Sequence, residues 1–560
     1  MRCVSALVLC VGVHADAQRT QPSPQPTMPP TSARAEESTG ADVQVTQRVD
    51  KRRRFHPLNE GESPPWDRIR VVFPTESAAL LAATARAGRV VVFLKSAACK
   101  EPGEPISAPL PQDLQPIGSV QVTGLLPGMT VELGESASWW PESAGRILEG
   151  AYEVQAVFDS DASPDGPLAV GNLVSAPAAV EFRRDAQDDV ECVLNARIDA
   201  PSAPDARRIS LFECESPSLS AAAGHRVTHR AWVTFPREYG DLNARRRVWP
   251  SVYSFVPPGA GPSTAERLAG GVLADIGPQA VQIIIEMDAP LVDGAACGPR
   301  ASAFARELVP CLEAEYRLVR DPRARILTGH GVGGWSAIWL LLQHPEAFGA
   351  AFASAPLPMD FTAFACADLY RDENLFVDSD GSARPAFREP TGPQHDLVTT
   401  LVADQVGWSR AVSPDGMSGY AWDSWERCFS DRDPRTTLSR RICDEVTGSL
   451  NPVTVESWAH FDVARQLAAA PEKIGPLLSE RVRILVGARD SFYFDRAAIA
   501  LRNRLDALAR TAAEQGHPWP DGPGYIEVVD GATHDTVLPL AQVRFGREMR
   551  QHFRRNSLHE

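Results

Sequence analysis

Serine-type acyl transfer needs a hydroxyl to attack, an imidazole to take its proton and a carboxylate to orient the imidazole. Two of these three groups stand at suitable places in the chain. Asp490 closes Gly487-Ala-Arg-Asp490 directly after an apolar run of strand length, and His534 stands in Gly531-Ala-Thr-His534-Asp535 after the last such run. The third place is the middle of Gly329-His330-Gly331-Val332-Gly333, a G-x-S-x-G frame. In that motif small residues allow a sharp strand-to-helix turn that presents one side chain, and the next amide, here that of Val332, helps to form an oxyanion hole. The middle residue is Gly331. The sequence offers an acyl-transfer frame without its reactive atom.

Each of these residues needs an element to hold it. Ala324 to Thr328 is a short apolar run, and Trp335 to Gln343 carries apolar residues at helical spacing until His344-Pro345, so the frame sits between a strand and a helix. From about Pro201 onward strands and helices alternate. Strands are expected at 208–213, 230–235, 247–256, 280–287, 349–354, 481–487 and 524–529, and helices at 301–319 and 496–514. Such alternation implies a mainly parallel, doubly wound sheet. The segment 361–478 is too long for a loop and reads as an inserted lid or cap. On such sheets the order along the chain is nucleophile, acid, base, the order of Gly331, Asp490 and His534. Each has a plainer reading: Asp490 as the N-cap of a helix beginning at Ser491-Phe-Tyr-Phe, and His534 as a loop histidine satisfied locally. Behind the same elbow frame, the site reading is preferred. Upstream, Val256-Pro-Pro-Gly-Ala-Gly261 follows a strand and suggests Gly259 as the donor of a second oxyanion amide.

Other residues near the corner carry nucleophilic groups. Ser336 lies one and a half helical turns past the corner and should point into packing, and Ser354 ends the next strand, several ångströms away. Cys297, in Asp293-Gly-Ala-Ala-Cys-Gly-Pro299, also follows a strand end and is an alternative.

The whole chain sets bounds on partners. It has 560 residues and a formal charge of -15, which argues against nucleic acid or an anionic membrane as a general partner. Residues 1–17 read as a signal peptide, with Ala15-Asp16-Ala17 as the cleavage site, so the protein is expected to be exported, and no later run reaches membrane-spanning length. Residues 18–65 are rich in proline and polar residues and read as a disordered linker in which Lys51-Arg52-Arg53-Arg54 is solvated. Residues 66–200 carry short β-rich runs between turn clusters, an all-β immunoglobulin-like sandwich, and 201–560 form the α/β domain. Trp139-Trp140 could bind sugar rings on a surface, but in a small sandwich core packing is the preferred reading. After signal removal eight cysteines remain, without C-x-x-C spacing. They allow 105 pairings, and the sequence selects none. No metal or cofactor motif is present.

Three stretches carry a family resemblance. Thr328-Gly-His-Gly-Val-Gly-Gly-Trp-Ser-Ala-Ile-Trp339 resembles the T-G-H-S-x-G-G-W-S-x-x-W elbow of the Putative esterase family of α/β-hydrolases, the group with esterase D-like enzymes. Leu485-Val-Gly-Ala-Arg-Asp-Ser-Phe-Tyr493 resembles its acid loop, and Gly531-Ala-Thr-His534 its histidine loop. The resemblance spans about 208–538. It implies an α/β-hydrolase fold, the acid role for Asp490, the base role for His534 and a vacated serine position at Gly331. Three readings follow: an exported homologue with lost or impaired ester hydrolysis, its pocket kept for an ester, an acylated glycan or a protein partner; a working hydrolase using another nucleophile or activated water; or a cell-surface binding protein that recognises its target through the sandwich.

Overall fold

The computed structural model describes residues 46–49 and 68–556, apart from 83–84, 100–102, 108–112, 135, 142, 161–165, 184–188, 200–207, 271–278, 295–296, 393–394, 417 and 523. The signal-peptide reading lies outside these residues, as does most of the 18–65 segment. Four residues of that segment are described: Thr46–Val49 form a strand, paired in parallel with His395–Leu401.

The C-terminal half is built on an eight-stranded sheet. In chain order its strands are β1 (Ile209–Glu215), β2 (Thr228–Thr234), β3 (Ser251–Val256), β4 (Val281–Glu286), β5 (Arg325–His330), β6 (Ala350–Ser354), β7 (Val482–Gly487) and β8 (Tyr525–Val529). Their spatial order is β1-β2-β4-β3-β5-β6-β7-β8, antiparallel at β1-β2 and β2-β4 and parallel from β4 onward. This is the mainly parallel α/β sheet expected from the alternation.

Successive residues of the central strands face opposite sides, and both sides are apolar, which is why these strands read as continuous runs. Tyr253, Leu327, Ala351 and Ile484 enter one buried cluster, while Val252, Ile326, Phe352 and Leu485 enter another. The first cluster contains helix α1 (Val332–Gln343), buried almost all round, and the second contains the long C-terminal helix. That C-terminal helix, His534–Arg555, was not foreseen in the sequence.

The insertion between β6 and β7 has its own structure: a hairpin of Pro385–Gly392 and His395–Leu401, then helices α2 (Val402–Val412) and α3 (Ala421–Phe429), and three more helices before β7. Its core is aromatic. Phe361, Phe364, Trp425, Phe429 and Trp458 pack mostly edge-to-face around α3.

The region before β1 is strand-rich, with nine strands between Ile69 and Arg197 and an apolar cluster of its own that includes Phe73, Trp139 and Phe158. Alternation over 148–158 suggests one buried face, yet Ala156, Val157 and Phe158 are all buried. The second face is covered by α2: Val157 and Trp140 pack with Trp408, Ala411 and Val412, and the Trp408 indole N–H donates to the Gln115 carbonyl at 3.0 Å. Trp139 and Trp140 are both buried, so neither is free to stack on a sugar.

Candidate active site

The elbow needs glycine for space on both sides of its corner. A Cβ on Gly329 would lie 2.3 Å from the Gly333 carbonyl carbon, and one on Gly333 would lie 2.6 Å from the Phe255 carbonyl oxygen. Strand β5, strand β3 and helix α1 therefore meet at van der Waals contact only because both positions lack side chains. Gly331 sits between them at φ +53° and ψ -118°, a conformation that side-chain-bearing residues adopt only under strain. Space is not what excludes a side chain there: the nearest atoms to a Cβ on Gly331 are Nε2 and Cε1 of His534, at 3.8 and 3.9 Å.

His534 opens the C-terminal helix. Thr533 caps that helix, its hydroxyl accepting from the Thr536 amide at 3.3 Å while the Thr536 hydroxyl accepts from the Thr533 amide at 2.7 Å. The reciprocal cap holds the first helical residue, so the His534 ring is fixed against the ends of β5 and β7. Its Nδ1 lies 2.8 Å from Asp490 Oδ2, and both side chains are almost wholly buried. The other oxygen of Asp490 accepts the amides of Phe492 and Phe494 at 2.9 and 3.2 Å. Asp490 is not the N-cap expected of it, since the helix begins at Phe494 with Tyr493 at the cap; its carboxylate still tethers the Phe494 amide while it holds the imidazole.

Burial acts to keep His534 neutral, but the Asp490 carboxylate outweighs it and raises the imidazole above its ordinary value. His534 Nε2 is buried and has no hydrogen-bond partner among the described residues. It faces the place where a serine hydroxyl would be carried. A second imidazole stands beside it: the His330 and His534 rings are 4.3 Å apart, and His330 Nδ1 lies 2.9 Å from Ser354 Oγ. Burial, reinforced by the neighbouring His534 charge, holds His330 well below the ordinary histidine value and so neutral.

The remaining candidates fall out as follows. The Val332 amide is the first of α1, where an N–H has no acceptor within the helix. Gly259 lies in the turn after β3, where Pro257 and Pro258 have no amide to offer and the Ala260 amide donates to the Pro257 carbonyl. The Gly261 amide donates to the Glu286 carboxylate at 2.6 Å, so an acid stands beside the turn that holds Gly259. Ser336 is fully buried and its hydroxyl accepts the Leu291 amide at 3.1 Å. Ser354 is buried against His330. Cys297 lies against Cys428 of the insertion.

One functional-looking residue had no sequence signal. Arg388, on the first strand of the insertion hairpin, donates from Nε to the Asp490 carbonyl at 2.9 Å, and its amide donates to the Ser491 carbonyl at 2.9 Å. Its other nitrogens pair with Asp495 at 2.9 Å and Asp396 at 3.3 Å, and Asp396 also receives Arg489 Nε at 3.0 Å. The neighbouring Phe387 meets Phe492 edge-on at 4.8 Å, and Phe492 in turn meets the His534 ring edge-on at 4.9 Å. The insertion therefore braces the acid loop from behind and lays an aromatic wall along the imidazole.

Residues 300–515 match the family described as Putative esterase. The match supports an esterase-like, α/β-hydrolase fold for that part of the chain. Among solved structures the chain is similar to an S-formylglutathione hydrolase from Agrobacterium tumefaciens (12% identity, TM-score 0.31, covering 63% of this chain and 97% of that one). It is also similar to the enterobactin esterase of Shigella flexneri (12%, 0.30, 89% and 96%) and to a ferulic acid esterase from Anaeromyces mucronatus (10%, 0.30, 63% and 94%). No curated protein matches the sequence. At these scores the structural likenesses assign no substrate to the chain. Among the described residues no helix is long and apolar enough to cross a membrane.

Proposed function

We propose that this chain is an exported esterase-fold protein whose serine-hydrolase turnover is lost or severely impaired at Gly331, and whose pocket is kept for binding an ester or acylated glycan. The insertion acts in this reading as a lid and the strand-rich region as an immunoglobulin-like sandwich. One observation carries the reading: His534 is held by Asp490 with its Nε2 aimed at the elbow, and the residue at the elbow brings no atom to it. The imidazole has its orienting partner and lacks the group whose proton it would take. A water on Nε2 would give vestigial turnover; triad knockouts elsewhere keep only about 10³ to 10⁴-fold over the uncatalysed rate.

A fluorophosphonate probe tests this at the atom concerned, because it bonds covalently only to an activated hydroxyl. The wild-type chain is expected to stay unlabelled and Gly331→Ser to gain one adduct, found by mass at the 325–343 peptide. An adduct on the wild-type protein at any serine of the pocket would overturn the proposal.

A further inference from the structure

Two cysteines far apart in sequence meet at one turn. Cys297 follows β4 and Cys428 lies in α3 of the insertion, and neither is bonded to another sulfur in the structure. Cys428 Sγ donates to the Pro290 carbonyl at 3.6 Å, Cys297 Sγ to the Val292 carbonyl at 3.7 Å, and a Cβ on Gly294 would meet the Cys428 carbonyl at 2.8 Å and Cys297 Sγ at 3.2 Å. We infer that Cys297–Cys428 is a disulfide-forming pair that fastens the insertion to the β4 loop beside the elbow helix.

The location gives the pair a consequence. Leu291, beside the Cys428 acceptor Pro290, donates its amide to Ser336 of α1, and Phe429, next to Cys428, packs on Trp335 of α1 at 5.3 Å. A bond between the two sulfurs therefore closes a covalent path from the sheet through the insertion across the helix that follows Gly331. The chemistry is thiol–disulfide exchange with a small oxidised disulfide. One thiolate attacks the reagent to give a mixed disulfide, and the second displaces the reagent thiolate. Two protein S–H bonds are lost and one S–S bond forms, while the reagent is reduced to two thiols. Arg300 and Arg427 lie beside this pair and favour a thiolate at Cys297, where the first attack would begin. The long loop that the bond closes would restrict the unfolded chain and stabilise the fold.

The full chain incubated with oxidised glutathione, alkylated and digested should yield one linked peptide pair, Cys297 with Cys428, lost on reduction. Its melting temperature should rise by several degrees on oxidation, and this rise should shrink in Cys297→Ala, whose side chain is only half-buried and whose replacement leaves the α3 core intact. The two thiols found alkylated, or either linked to a different cysteine, would overturn that assignment. An oxidation-induced rise in melting temperature unchanged in Cys297→Ala overturns the fastening of the insertion. Neither outcome bears on whether Gly331 abolishes turnover.

Discussion

His534 Nε2 lies 3.8 Å from the point where a side chain on Gly331 would begin, and its ring is locked by Asp490 on the opposite edge at 2.8 Å. A buried histidine retained only for packing would have no need of a buried carboxylate, since taking that charge from water is expensive unless it is paired. The two residues keep the geometry of a base and its orienting acid around an empty attack position.

That pairing should be visible in the pH dependence of stability. Burial alone would lower His534, and the Asp490 charge raises it above 6.5. A raised folded-state value contributes stability that is complete below pH 6.5 and is lost as pH rises through that value. Asp490→Asn removes the opposing charge and leaves burial dominant. Urea unfolding at pH 6 and pH 9 should show the wild-type advantage over Asp490→Asn to be larger at pH 6. An equal advantage at the two pH values would show that the ion pair contributes nothing.

Arg388 braces the acid loop from the insertion. Arg388→Met should destabilise the protein by about 3–5 kcal/mol, because Asp495 then remains buried without its guanidinium, while Asp396 keeps only Arg489. Arg388→Lys should recover only part of this, since a single ammonium cannot reach the Asp490 carbonyl and both carboxylates at once. Denaturant midpoints check the order: wild type above Lys above Met.

The strand-rich region is held to the rest of the chain through α2. Trp408 is 2% exposed, packs with Trp140 and Val157, and donates to Gln115. Trp408→Ala should cost about 3–5 kcal/mol by opening a cavity at this junction. Calorimetry should then show the strand-rich region melting ahead of the remainder. A single transition at the wild-type temperature would mean that the junction carries little energy.

The sheet was legible in the sequence because its strands are buried on both faces and therefore read as short continuous apolar runs such as Arg-Ile-Leu-Val at 483–486. Asp490 and His534 were visible for a related reason: each follows such a run, and strand ends on one edge of a parallel sheet converge. Arg388 was not. Its partners lie 102 residues away at Asp490 and 107 at Asp495, and the hairpin that carries it alternates too weakly to be noticed. The C-terminal helix was missed because Pro539 stands inside it, where a proline removes an intrahelical hydrogen bond and reads as a helix breaker. The meeting of Cys297 and Cys428 at one turn depends wholly on tertiary contact, so spacing alone could not select it.

Turnover of a short-chain chromogenic ester by the wild-type protein beside Gly331→Ser bears most directly on the central claim. The wild-type rate should stay near background, and the serine variant should exceed it by at least about 100-fold, with the gain abolished by adding His534→Ala. Wild-type turnover at an ordinary enzyme rate, about 1 s⁻¹ or faster, would contradict the claim that the elbow has lost its function.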